Sequence, residues 1–227
     1  MANKEQNVQD EAKTAAKKSD RMLKDAGMLF LITIIAGLCL GSVYAITKDP
    51  IAKANEEKKQ ESYQRVFADA SFEEDEAVTE ALAEFKKSSI LEENSLTDVE
   101  IAEALVAKDA SGAPVGYVVQ ASAKGYGGAV ELAIGINSAG EVQAVDVLAA
   151  DDETPGLGQR CTEPDWINQY VGKATTDLNL EVVKGDADGT NQIEAISGAT
   201  ITSSAVTRAI NAVLMFVDGL GEGGSHE

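Results

Sequence analysis

Four hydroxyl side chains crowd one short stretch of this chain: Thr200, Thr202, Ser203 and Ser204, in the run SGATITSS at 197–204. Ser197, Gly198 and Ala199 lead into it, and the last two keep the backbone accessible. Hydroxyls at the start of a helix sit beside free N–H groups and the positive end of the helix dipole, an arrangement that favours an anion. A phosphate is the natural guest. Two further segments place backbone where a ligand can approach closely: Gly125, Tyr126, Gly127 and Gly128, and then Glu153, Thr154, Pro155, Gly156, Leu157 and Gly158. Taken singly, each glycine segment is a turn and the hydroxyl run is a helix cap. Their joint presence is the signal.

Other chemistry finds little support. The single histidine, His226, is one residue from the end, which leaves no histidine triad or His-rich metal site. Cys39 and Cys161 are too few for a disulfide scaffold or a four-thiolate centre. Asp151, Asp152 and Glu153 form an acidic run with no nucleophile and base beside it. The GKAT stretch at 172–175 lacks a P-loop's first glycine, because position 167 is Ile167. In DADGTN at 186–191 only Asp186 and Asp188 fit a calcium loop, so a plain turn is expected. The net charge is −19, and residues 49–227 carry 12 basic against 33 acidic side chains, which disfavours nucleic acid as a partner.

The elements that must position these segments follow from periodicity. From Asp98 the pattern alternates every second residue, with turns at SGAP and SAG, so residues 98–150 read as a meander of about four antiparallel strands. A short helix is expected at EPDWINQYVGK, with Glu163 and Asp165 at its positive end. Val206, Ile210, Val213, Leu214 and Val217 define a core-facing final helix, capped by Thr202, Ser203 or Ser204 and ended by Gly219. Antiparallel sheet plus packed helix gives an α+β domain over 96–222, with a short tail at 223–227. Residues 50–69 read as a juxtamembrane helix opened by Pro50, with Tyr63, Val66 and Phe67 on one side. The acidic stretch from Ser71 reads as partly helical, completing a helical region at 48–95.

Residues 27–47 contain no charge and are long enough, as a helix, to span about 30 Å. The stretch exceeds the apolar run of a removed signal peptide, so an uncleaved anchor behind a tail at 1–26 is expected. Five basic residues on each side leave the orientation undecided by charge. Cys39 reads as a thiol among apolar side chains.

The order GYGG, ETPGLG, SGAT and ITSSAV behind one membrane helix resembles the FMN-binding domain of the G subunit of the Rnf complex, the ion-translocating ferredoxin:NAD oxidoreductase. The C subunit of the sodium-translocating NADH:quinone oxidoreductase is its relative. The resemblance implies FMN joined through a phosphoester to Thr200, installed by a flavin transferase outside the cytoplasmic membrane. It implies cofactor contacts from Ser197, Gly198, Ala199 and Thr202, from the 153–158 loop near the flavin ring, and from the 125–128 turn. It also implies an extracytoplasmic domain, lipid around the anchor, and membrane and redox subunits as partners. The chain would then relay electrons in a complex that moves Na⁺ or H⁺, with no active site of its own. The C subunit of a quinone reductase and, from another class, a cofactor-free acidic binding module remain the alternatives.

Overall fold

The computed structural model describes the backbone of residues 2–176 and 179–223, and the side chains of residues 22, 24–176 and 179–221. His226 and, apart from the backbone of Gly223, the tail expected at 223–227 lie outside them. Two compact units are separated, residues 1–55 and the chain from Glu56 onward.

In the first unit the chain is helical, part of α1 (Ala2–Val66). The side chains of 27–46 are exposed, and this stretch is long and apolar enough to cross a membrane. Pro50 does not open a helix; it lies inside α1. Proline removes one i→i−4 hydrogen bond, and the helix-forming residues on both sides outweigh that loss.

The second unit is built on a five-stranded antiparallel sheet in sequence order: β1 (Ser71–Glu73), β2 (Val99–Lys108), β3 (Pro114–Lys124), β4 (Ala129–Asn137) and β5 (Val142–Ala149). The expected meander is β2–β5. The two-residue period sends Val119, Ala121 and Ala123 of β3 and Val130, Leu132, Ile134 and Ile136 of β4 to one face, into the main core. Across that face lies α5 (Thr200–Gly223), with Val206, Ile210, Val213, Leu214 and Val217 all buried. The helix neither starts after the Thr202–Ser204 hydroxyls nor stops at Gly219: Thr202 and Ser203 fall in its first turn, Ser204 follows, and Gly219 is passed over. Beside it packs α2 (Glu76–Lys87), with Val78, Leu82 and Phe85 in the core and Asp75 Oδ1 accepting the amides of Ala77 and Val78 as its N-cap. The single turn α3 (Ile90–Glu93) leads into β2.

The opposite face is covered by the end of α1. Tyr63, Val66 and Phe67, the three residues read as one side of that helix, pack with Ala107, Val118 and Ala133. Small residues on the sheet permit the approach: a Cβ at Gly135 would run into Val66 and Phe67. Polar contacts frame the patch. Ser62 and Arg65 donate to Asp146 at 2.5 and 2.7 Å, and Lys59 pairs with Glu103, which also accepts the Tyr63 hydroxyl.

Both sheet edges are partly covered. Lys108 of β2 pairs with Glu73 of the short β1, β2 has a register shift between Ile101 and Glu103, and Lys86 reaches the Ala102 carbonyl. Past β5, Val142 exchanges backbone hydrogen bonds with Gly172 and Lys173, and Glu141 bridges to Ala174. After the sheet come a 3₁₀ turn (Gly158–Thr162), α4 (Pro164–Ile167) and a second 3₁₀ turn (Asn168–Tyr170), matching the expected short helix. A parallel pair, β6 (Glu181–Val183) with β7 (Gln192–Glu194), flanks the 186–191 turn.

Gly135→Ala should loosen the α1 end from the sheet and lower stability by about 1–3 kcal/mol, the usual cost of an extra methyl in a filled contact. Urea unfolding measures this; an unchanged midpoint would show that the contact has slack.

Candidate functional site

Three loops that are far apart in sequence meet at the start of α5. The first is the 125–128 turn between β3 and β4, closed by the Gly125 amide donating to the Gly128 carbonyl at 2.7 Å. Arg208 of α5 holds the strand end before it, donating to the Lys124 carbonyl while its guanidinium forks onto Asp98. The second loop, 150–158, leaves β5. The third, 196–199, enters α5: Ser203 Oγ accepts the Ile196 amide and donates to the Ala199 carbonyl, both at 3.0 Å, so this hydroxyl reaches back to shape the turn.

One side chain in the second loop joins the first loop to α5. Glu153 is only 2% exposed, and its Oε1 accepts the amides of Tyr126 at 2.7 Å and Gly127 at 3.0 Å. Its Oε2 accepts the Thr202 hydroxyl at 2.5 Å. The glycines follow from this packing. A Cβ on Gly125 or Gly158 would collide with the Glu153 carboxylate, and one on Gly127 would collide with the Asp152 carbonyl. Gly156 and Gly198 have φ of 74° and 81°, the left-handed region that side chains resist.

Between the loops lies a cavity of about 480 Å³, within the range of small-molecule sites. Of the residues picked out in the sequence, Tyr126, Glu153, Thr154, Leu157, Gly158, Gly198, Ala199, Thr200 and Thr202 line it. Gly125, Gly127, Gly128, Pro155, Gly156 and Ser197 belong to the same loops but are not among the lining residues. Ile201 also lines it, and the sequence motifs do not single it out. It is 52% exposed, an outward apolar residue in the first turn of a helix that otherwise buries its apolar side chains, and that mismatch with the helical stripe was the available signal.

The arrangement suits a flat, anionic ligand. Thr200, Ile201 and Thr202 begin α5 and line the cavity, and amides at a helix start lack a preceding turn to bond, which favours a phosphate. Leu157, Ile201 and the 71%-exposed Tyr126 offer apolar and aromatic surface for a planar ring. Thr200 is part-exposed, and its hydroxyl makes no hydrogen bond to another described residue. Cys161 sits behind Glu153, fully buried. Burial, with the Glu153 charge adding to it, pushes the thiol up to about 11, so it stays protonated and unreactive at neutral pH.

A family model described as an FMN-binding domain matches residues 125–215, from the first glycine of the β3–β4 turn into α5. The chain is 33% identical over 186 residues to the G subunit of the Na⁺-translocating ferredoxin:NAD⁺ oxidoreductase complex of Acetobacterium woodii, covering 81% of this chain and 86% of that one. This chain belongs to the family of Rnf G subunits. The G subunit of the ion-translocating oxidoreductase complex of Shewanella baltica is also 33% identical, over 82% of this chain and 87% of its own. The C subunit of the Na⁺-translocating NADH-quinone reductase of Chlamydia pneumoniae is 36% identical over 53% of this chain and 43% of its own. As a member of the Rnf family, the chain is a membrane redox subunit with a flavin-binding domain.

Gly158→Ala should force Glu153 and Thr202 apart and cost about 1–3 kcal/mol. The amide proton resonances of Tyr126 and Gly127 report on their bonds to the carboxylate and should move upfield. Gly156→Ala has open space and only φ strain, so it should cost about 1–2 kcal/mol and leave both resonances in place. Unmoved resonances in the Gly158 variant would remove Glu153 as the joint.

Proposed function

We propose that this chain is the G subunit of an Rnf-type complex, with FMN bound covalently through a phosphoester to Thr200 and its flavin domain on the outer face of the cytoplasmic membrane. The supporting observation is the Thr200 hydroxyl, which lines the cavity at the N-terminus of α5 without a hydrogen-bond partner among the described residues. Attachment is redox-neutral and needs an activated phosphate, for which a flavin dinucleotide serves. Thr200 Oγ bonds to the flavin-side phosphorus, the phosphoanhydride P–O bond breaks, a nucleoside monophosphate leaves, and the hydroxyl proton passes to a base of the transferase. Once bound, FMN supplies the electron-carrying chemistry.

The chain's own residues then hold and insulate. The first-turn amides of α5 stabilise the phosphodiester charge. Leu157, Ile201 and Tyr126 limit water around the ring. The other membrane and redox subunits, whose electron flow moves Na⁺ or H⁺, are the proposed partners, and a flavin transferase is needed for maturation.

Thr200→Val keeps the shape and deletes the oxygen, so the domain should fold with stability changed by no more than about 0.5 kcal/mol. Covalent flavin should vanish after coexpression with the transferase, measured as flavin fluorescence of the denatured band and as intact mass. A fluorescent band that persists would refute attachment at Thr200.

The orientation has its own test. Glu74 is exposed in the acidic stretch before α2. With Cys39→Ala and Cys161→Ala as background, Glu74→Cys should react with an impermeant thiol reagent on intact cells. Labelling that appears only after lysis would place the domain inside.

A further inference from the structure

Three hydroxyls fall within four residues at the start of α5, yet they stand in different situations. Ser203 is buried, and its oxygen is committed to Ile196 and Ala199. Thr202 is 1% exposed and donates its proton to Glu153 Oε2 at 2.5 Å. A carboxylate beside a hydroxyl would ordinarily raise its nucleophilicity, but a buried oxygen has no approach for an in-line phosphorus. Thr200 alone combines exposure with a place in the cavity wall, since Ser204 lies outside the lining.

We propose that Glu153 is the positioning residue that selects Thr200 as the acceptor: by holding the Thr202 hydroxyl, it fixes the first turn of α5 in the rotation that presents Thr200 Oγ to the cavity and withholds Thr202. This rests on the attachment of FMN proposed above. In the transfer, Thr200 Oγ gains the bond to phosphorus and loses its proton, while the proton between Thr202 and Glu153 stays where it was.

The geometry makes Glu153 suited to this task. Its two bonds to the Tyr126 and Gly127 amides anchor it to the sheet through the β3–β4 turn, so its pull on Thr202 is referred to the rigid part of the domain. The helix has a separate tie two turns on, where Arg208 grips Asp98 and the Lys124 carbonyl. Between these points the first turn has one side-chain bond to the 150–158 loop among the described residues, the one from Thr202.

The test uses the full-length apo-protein, purified transferase and flavin adenine dinucleotide, with the initial rate of covalent flavin incorporation and the modified residue mapped by peptide mass spectrometry. Thr202→Val deletes the bond to α5 and leaves the Glu153 bonds to the turn intact. It should slow incorporation at saturating substrate by about tenfold, the scale expected for a misplaced nucleophile. Its KM should stay near wild type, while its unfolding midpoint falls modestly because the buried Glu153 Oε2 loses its donor. Thr202→Ser, which keeps the hydroxyl, should restore the rate. Glu153→Ala should slow incorporation at least as much, whereas Glu153→Gln should largely rescue it, because the amide oxygen still accepts from the turn and the amide N–H donates to Thr202. Should Glu153→Ala fail to fold, the Thr202 pair decides alone. Thr202→Val modified on Thr200 at the wild-type rate overturns the inference while leaving attachment intact. A wild-type protein without flavin on Thr200 overturns the attachment itself.

Discussion

A carboxylate removed from water must find donors for its oxygens or give up its charge, and Glu153 finds three on two different elements. That requirement fixes the distance between the β3–β4 turn, the loop after β5 and the start of α5. The glycines at 125 and 158 follow from it, because the carboxylate occupies the space where their Cβ atoms would stand. The cavity is the room left over. Its walls are held by the bonds from Glu153 to the β3–β4 turn and to Thr202.

The chemistry asked of the protein is correspondingly modest. Burial pushes the thiol of Cys161 up to about 11, and the carboxylates of Asp151 and Asp152 are exposed beside the buried Glu153. What the chain offers is a hydroxyl without a hydrogen-bond partner among the described residues, a helix start beside the cavity, and an apolar rim. This is the division of labour expected of a cofactor carrier.

The sheet and the final helix were legible because burial on one face imprints a period. The meander appears as alternation over 98–150, and the Val206-to-Val217 stripe of α5 is wholly buried. Tyr63, Val66 and Phe67 could be read as one side of a helix, although nothing local showed that they cover the second face of the sheet. Three-residue strands such as β1, β6 and β7 are too short to show alternation, and their pairing is decided by contacts distant in sequence. The start of α5 departs from expectation for a related reason: serine and threonine favour caps, but here tertiary bonds to Glu153 and Ile196 draw them into the first turn. In the triple Asp151, Asp152, Glu153 nothing in the letters separates the buried member from its exposed neighbours. Only the glycines opposite it, at 125 and 158, carried a trace of its position.

The treatment of the sheet edges bears on how such a protein lives at a surface. Anchored chains are confined to two dimensions, where neighbours meet far more often than in free solution, and an open strand edge would invite one copy to extend the sheet of the next. On one side the short β1 with its Glu73–Lys108 pair, the irregular register of β2 and the lysine at Ala102 interrupt any continuous run of unpaired backbone. On the other, the segment from Gly172 to Ala174 already uses the hydrogen bonds at the start of β5. The strongly acidic surface adds mutual repulsion. Crowding in the membrane therefore meets edges that are interrupted or already paired at these positions.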